Sequence, residues 1–271
     1  METIVSRDNR QVRLIRRLLS DAKYRRSTGL FVAEGARLCA DAAASGVSIH
    51  QVLVTPHAAE AYAGTVETLL AAGQQSAFIT EELARHMGDT LSPQGIFCVC
   101  QGLDNPAGLD TIKKNGRFLA LENMQDPSNL GAVIRTAEAL GIDGLLVSTG
   151  CCDRYNPKVM RASMGGVFRL PLIEAGSMAG ALACLQDQGM TAYACGVDPA
   201  ARPVQKVRFL PGSIAVIGNE GNGLTPQTVQ ACRERITIRM AGRAESLNAS
   251  VAASLVAWEM TRSLPECGAG D

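Results

Sequence analysis

The sequence predicts an α/β protein with a mostly parallel sheet and two domains. Three observations carry that expectation. Short apolar runs alternate with amphipathic stretches along most of the 271 residues, the pattern of strands joined by helical crossovers. A chain of this length exceeds the roughly 250 residues at which single cores stop growing. The run Gly102-Leu103-Asp104-Asn105-Pro106-Ala107-Gly108 concentrates turn formers without apolar periodicity, which marks a connection. The expected division is a small α/β domain over 1–105, a linker over 106–116 and a parallel-sheet domain over 117–271.

In order along the chain, Val12, Ile15, Leu18 and Leu19 recur at helical spacing with arginines on the other face, predicting an amphipathic helix over 8–21. Residues 30–35 read as a strand, followed by a helix to Ser45 and a strand over 47–54. A helix over 58–72, a strand over 76–80, a short helix from Glu81 and an apolar strand over 95–100 complete the first unit. The second begins with a strand over 117–122, a helix over 130–140 and a strand over 145–148. Helices over 158–165 and 178–188, strands over 190–195 and 213–218, a helix over 226–233, a strand over 235–238 and a helix over 247–262 follow. The tail 264–271 reads as loose. No repeat of fixed period or low-complexity tract interrupts this order.

Composition excludes several classes. No apolar run approaches the ~18 residues of a membrane span. The first twenty residues hold Arg7, Arg10, Arg13, Arg16 and Arg17 and no uninterrupted apolar block, unlike a secretory signal, so a cytoplasmic location is expected. The nine cysteines include a Cys98/Cys100 pair and an adjacent Cys151/Cys152 pair, but no Cys-x-x-Cys. Reduced core thiols fit this pattern better than disulfides, and no metal site is expected. Twenty-six basic residues balance twenty-six acidic ones, yet residues 1–26 hold eight basic against three acidic. That stretch reads as either a nucleic-acid contact or a solvated basic face.

Three stretches have chemical content. In 123–135, a polar loop separates a strand from a helix, where α/β folds bind ligands. Asp126-Pro127 sets a turn, and Ser128 or Asn129 caps the helix. Taken alone, Arg135 reads as a surface partner of Glu138 or Glu122. In 217–224, three glycines around Asn219-Glu220 allow close backbone approach, but the order is not that of a phosphate loop. In 236–252, a strand ends and a small-residue helix begins, with Ser246 as its expected cap.

Together these stretches, with the Asn-x-Gly-x-x-x-Arg spacing of Asn129, Gly131 and Arg135, the Gly218-Asn219-Glu220-Gly221 turn and Ser246-Leu247-Asn248, resemble the SpoU (TrmH-type) family of the SPOUT superfamily of RNA 2′-O-ribose methyltransferases. Residues 156–166 look like a segment of the same family, and 1–100 resemble its ribosomal-protein-like RNA-binding domain. The resemblance implies a C-terminal trefoil knot, S-adenosylmethionine as methyl donor, a homodimer and an RNA substrate, ribosomal in preference to transfer RNA. It places the donor against Gly218, Gly221, Ile238, Met240 and Leu247, and catalysis at Arg135 with Asn129, Glu220, Ser246 and Asn248. Arg239 stands where the family carries a proline after Ile238.

The acceptor hydroxyl must lose a proton, and no histidine occurs after His86. Glu220, a substrate phosphate and Arg135 are the remaining candidates. Because guanidinium stays protonated, Arg135 is expected to orient the ribose and stabilise the developing alkoxide. Lys23, Arg25, Arg26, Arg154, Lys158 and Arg161 are the candidate RNA contacts, with single-stranded loops the expected target. A non-catalytic RNA-binding protein on the same fold is the competing class. A nicotinamide-dependent oxidoreductase is disfavoured because no Gly-x-Gly-x-x-Gly follows the first strand.

Overall fold

The structure is a computed structural model that describes residues 2–90, 92–103 and 108–262. The expected loose tail lies outside these residues. The elements in the first hundred residues are β1 (Thr3–Ile4), α1 (Arg10–Ser20), α2 (Ala22–Thr28), β2 (Leu30–Glu34), α3 (Ala36–Ala44), β3 (Ile49–Val54), α4 (Pro56–Ala61), α5 (Ala63–Ala72), β4 (Gln75–Ile79), α6 (Glu81–Met87) and β5 (Ile96–Gln101). Then follow β6 (Phe118–Leu121), α7 (Pro127–Ala139), β7 (Gly144–Ser148), α8 (Pro157–Ser163), α9 (Gly166–Arg169), β8 (Leu172–Ala175), α10 (Met178–Asp187) and β9 (Thr191–Cys195). The chain continues through β10 (Arg202–Pro203), β11 (Ser213–Ile217), α11 (Pro226–Gln230), β12 (Glu234–Thr237) and α12 (Ala249–Thr261). No described helix is long and apolar enough to cross a membrane.

Two compact units result, one of Met1–Asn105 with Asp153–Arg169, the other of Pro106–Cys152 with Leu170–Asp271. The continuous division expected from sequence places 153–169 in the second domain. The structure packs that segment into the first unit, where Tyr155 stacks on Phe31 with ring centroids 4.3 Å apart and Asp153 pairs with Arg25. Part of the expected linker also has a packed role, because Leu109 and Ile112 join the core of the second unit.

The first unit holds a five-stranded sheet in the order β1-β4-β3-β5-β2, with β5 antiparallel to both neighbours. Val12, Ile15 and Leu18 of α1 are fully buried and pack with Leu53, Ile79, Leu83 and Phe97, leaving the arginines of α1 outside. Asn9 caps α1 by accepting from the Gln11 amide at 2.8 Å. The helix expected over 58–72 is two helices. Thr55 and Pro56 start the first one early, and Tyr62, at φ −126 and ψ 39, leaves helical geometry between them.

The second unit is a seven-stranded, all-parallel sheet in the order β10-β12-β9-β11-β6-β7-β8. From β6 the chain builds outward through β7 and β8, then returns to lay β9, β11 and β12 on the other side of β6. The order therefore reverses at β6, and parallel pairing puts the carboxyl ends of β6, β9, β11 and β12 along one edge, where such sheets hold ligands.

Candidate active site

Local capping sets the first loop. Asp126 caps α7, its carboxylate accepting from the Ser128 and Asn129 amides at 2.7 and 3.0 Å, with Pro127 at the first helical position. Asp126 therefore displaces the expected cap, Ser128 or Asn129, and frees the Asn129 side chain. That amide donates to Glu220 Oε1 at 2.9 Å, and its oxygen accepts from Asn248 Nδ2 at 3.0 Å. One hydrogen-bonded chain, Glu220–Asn129–Asn248, thus ties together all three stretches singled out in the sequence. Asn129 is buried, so loss of its side chain would strand both partners.

Asn248, not Ser246, caps α12. Its side chain accepts from the amides of Ser250 and Val251 at 2.9 and 3.3 Å. Ser246 is exposed and Leu247 half-buried ahead of the helix.

Two residues that sequence reasoning misses build the second loop. Asn219 accepts from the Gly221 and Asn222 amides and donates to the Asn123 carbonyl at 2.8 Å, while Asn219 and Gly223 exchange backbone hydrogen bonds at 3.0 Å. Glu122, 5% exposed, accepts from the Thr225 amide at 2.8 Å and from the hydroxyls of Thr225 and Thr228. Gly218 is required by this fold. A Cβ there would overlap the Gly223 carbonyl carbon and lie 2.5 Å from the Gly223 oxygen and the Leu224 nitrogen. Gly218→Ala is expected to cost about 3 kcal/mol or more, because backbone cannot step aside as a side chain does. A shift in the urea midpoint checks this, and a change below ~1 kcal/mol would refute it.

A cleft of about 430 Å3 opens at the same sheet edge, lined by Cys195 to Asp198 after β9, by Gly223 and Leu224, and by Arg235 and Ile236 of β12. Its size falls within the roughly 300–1,000 Å3 of small-molecule sites. Asp198 and Arg235 pair across its lining at 3.4 Å. None of Gly218, Gly221, Ile238, Met240 or Leu247 lines this cleft. Gly221 lies in the turn that supplies Gly223, and Ile238 and Met240 follow β12 as half-buried residues. The sequence signal for the missed lining is the carboxyl end of β9 followed by Gly196.

Arg135 is exposed on α7 and has no hydrogen-bond or ion-pair partner among the described residues. The ion pair with Glu122 is excluded, because that carboxylate is buried against two threonines. Six residues beyond Asn129, Arg135 lies about 9 Å further along the helix axis, and it does not join the Glu220–Asn129–Asn248 chain.

The model of the SpoU rRNA methylase family matches residues 116–258, more than half of the chain. The chain belongs to the SpoU rRNA methylase family. An MRM3-like substrate-binding domain matches residues 9–98. Among relatives, the 23S rRNA (guanosine(2553)-2′-O)-methyltransferase RlmP of Bacillus subtilis is 28% identical over 260 residues, covering 96% of this chain and 99% of its own. The AdoMet-bound rRNA methyltransferase of Sinorhizobium meliloti is 25% identical with a TM-score of 0.86, covering 97% and 98%. The SpoU methyltransferase AviRb of Streptomyces viridochromogenes, in complex with AdoMet, is 25% identical with a TM-score of 0.82, covering 94% and 97%.

In this SpoU chain the six candidate RNA contacts separate. Lys23, Arg26 and Lys158 are exposed. Arg154 sits with its guanidinium 6.0 Å over the Tyr155 ring, and Arg161 pairs with Asp89 at 2.7 Å. Arg25 corrects the expectation. Only 4% exposed, it donates to Asp153 at 2.7 Å and to the Leu18 and Leu19 carbonyls, so it holds the fold rather than meeting RNA.

Two thiols of the second unit, Cys195 in the cleft lining and Cys232 against the core, lack nucleophilic character. Burial pushes Cys195 up to about 12, and burial followed by the Glu122 charge pushes Cys232 up to about 12. Cys39, Cys98 and Cys100 fill the expected core role, whereas Cys184 is exposed. Iodoacetamide at pH 8 is expected to alkylate Cys184 and to react with Cys195 at least ~10²-fold more slowly, because the thiolate is the reactive form. Peptide mass spectrometry over a time course checks this, and comparable rates at the two sites would refute it. Among the described residues no cluster of three or more metal-ligating side chains is present.

Proposed function

We propose that the chain transfers a methyl group from S-adenosylmethionine to a ribose 2′-hydroxyl of ribosomal RNA. The observation that carries this reading is the Glu220–Asn129–Asn248 chain, which joins three separate loops at the carboxyl edge of a parallel sheet. The B. subtilis relative's name specifies 2′-O-methylation of 23S rRNA, and the two neighbouring structures hold AdoMet.

When bound, the donor supplies a methyl carbon activated by its sulfonium. The 430 Å3 cleft fits a ligand of that class, with apolar Val197, Leu224, Val229 and Ile236 beside the polar pair Asp198 and Arg235. Gly218, Gly221, Ile238, Met240 and Leu247 lie outside that cleft's lining; in this reading the backbone of the first two and the apolar side chains of the others meet the part of the donor that extends beyond the cleft. Asn129 and Asn248 fix the loops that would enclose the acceptor, and Ser246, exposed two residues before Asn248, would add a hydroxyl. Glu220 holds its carboxylate toward the same loops, one oxygen engaged by Asn129 and the other 3.4 Å from Asn219 Nδ2. Arg135 orients the ribose and phosphate and stabilises charge on the acceptor oxygen as its proton leaves.

The reading includes a trefoil knot over the C-terminal stretch and a homodimer acting in the cytoplasm. What supports the knot is membership of the SpoU family together with the Glu220–Asn129–Asn248 chain, which brings the loop ahead of α12 against the loops that follow β6 and β11. What supports the dimer is an apolar face of α12, where Val251, Leu255 and Trp258 are 46%, 42% and 56% exposed at helical spacing. Arg135, without a partner among the described residues, then serves a site completed by the second copy. Trp258→Glu is expected to yield a monomer by analytical ultracentrifugation with at least ~10-fold lower turnover, since a charge at an apolar interface is strongly disfavoured. A dimer of wild-type stability would refute the interface.

Calorimetric titration with S-adenosylmethionine and with a nicotinamide cofactor tests the proposal. Saturable binding of the first alone is expected, and binding of only the second, or of neither, would overturn it.

A further inference from the structure

The first unit carries a cleft of about 440 Å3, lined by Arg13, Arg16, Arg17 and Ser20 of α1 and by His86 and Asp89 at the end of α6. Positions 13, 16 and 17 are spaced i, i+3 and i+4, so one helix face presents three guanidinium groups. All three residues are exposed, and Arg13 and Arg16 have no carboxylate partner among the described residues. Arg17 lies 3.9 Å over the Tyr24 ring, which holds its plane, and 3.8 Å from Asp21. The Asp89 carboxylate in the wall is already taken by Arg161 at 2.7 Å. Burial first, then the charges of Arg16 and Arg7, push the His86 imidazole below its ordinary value against an opposing effect of Glu82. Positive charge is therefore concentrated here in a chain whose basic and acidic residues balance at 26 each.

We propose that this cleft seats the sugar–phosphate backbone of a single-stranded RNA segment, with Arg13, Arg16 and Arg17 engaging phosphates. The inference rests on RNA being the substrate, and within the basic stretch 1–26 it places the main backbone contact on the outer face of α1 rather than at the named candidates in 23–26 and 154–161. Two of those stretches' arginines are committed elsewhere, Arg25 to Asp153 and Arg161 to Asp89. Guanidinium forks match phosphate oxygens two at a time. A row of three guanidinium groups along one helix, two of them without a carboxylate partner among the described residues, suits a regularly spaced polyanion. The cleft lining contains no aromatic residue apart from the His86 imidazole, so the interaction tracks the backbone and fixes register without reading bases.

Binding of the full chain to a fluorescein-labelled twenty-nucleotide oligouridine, followed by anisotropy across a salt series, tests this. Arg13→Gln with Arg16→Gln is expected to weaken binding roughly tenfold at about 0.1 M salt and to lower the log–log salt slope by about 1.4, or about 0.7 for each phosphate no longer neutralised. Arg13→Lys with Arg16→Lys keeps the charges and should retain the slope. Lys113→Gln with Lys114→Gln, exposed and outside the cleft, should leave the slope unchanged. Circular dichroism establishes that each variant folds, and their affinity for S-adenosylmethionine should match the wild type. A wild-type slope in the Arg13→Gln/Arg16→Gln protein, equal losses in both glutamine doubles, or equal wild-type affinity for polyglutamate would overturn the assignment. A wild-type protein that methylates RNA while its cleft variant keeps the slope defeats only this inference. One that binds neither donor nor RNA defeats the proposed function.

Discussion

Replacing Arg135 by alanine is expected to lower methyl-transfer turnover by about 10²–10³-fold, the usual cost of removing one oriented donor from developing negative charge. Donor affinity should stay unchanged, because Arg135 lies outside the cleft at the ends of β9 and β12. The side chain is exposed and has no partner among the described residues, so its loss carries little structural cost and the effect belongs to the reaction. Arg135→Lys separates charge from geometry. Lysine offers a point charge without the planar fork, and it should recover only part of the loss. Full turnover in the lysine variant would show that bidentate orientation is not needed. Single-turnover rates under saturating donor give the comparison.

Arg25→Ala is expected to destabilise the protein by about 3–5 kcal/mol, the range for removing one partner of a buried ion pair. The Asp153 side chain is only 10% exposed and would be left as an unpaired buried charge. The carbonyls of Leu18 and Leu19, where α1 gives way to α2, would lose their donor as well. Arg25→Met combined with Asp153→Leu should recover only the part due to the stranded charge, because the Leu18 and Leu19 carbonyls and the Tyr155 amide still lack their partners. Urea denaturation of the single and double variants checks both statements. A single-variant change under ~1 kcal/mol would place Arg25 in solvent, with a surface pair's small worth.

Arg25 also shows where the sequence stops being informative. Periodicity reports apolar faces, so the stripe Val12, Ile15, Leu18 locates α1 with its boundary off by about two residues. A buried arginine has no periodic signature, and its partner is 128 residues away. The same reason hides the attachment of 153–169 to the first unit, which depends on one ion pair and one aromatic stack. Helix α2 escapes a sequence reading because AKYRRST has no apolar stripe. Strand β8 escapes it because the exposed Glu174 interrupts its short apolar run LIEA.

At the site, the strand ends and glycine turn are legible because parallel strands here are continuous apolar runs closed by polar loops. The caps are not. Where Asp126 or Asn248 competes with nearby Ser or Asn residues, side chains of similar capping strength are separated only by tertiary contacts. Asn129 is free to bridge Glu220 and Asn248 because Asp126 takes the cap. The roles of Asn219 and Glu122 depend on loops that meet only after the sheet is assembled.

The most direct test is to incubate ribosomal RNA with the full chain and methyl-labelled S-adenosylmethionine, then hydrolyse the product in alkali. A methyl group on the 2′-oxygen removes the nucleophile that alkali uses to cut the strand. Label is therefore predicted in alkali-resistant dinucleotides, dependent on Arg135. Label released in mononucleotides, or none incorporated, would contradict ribose methylation by this chain.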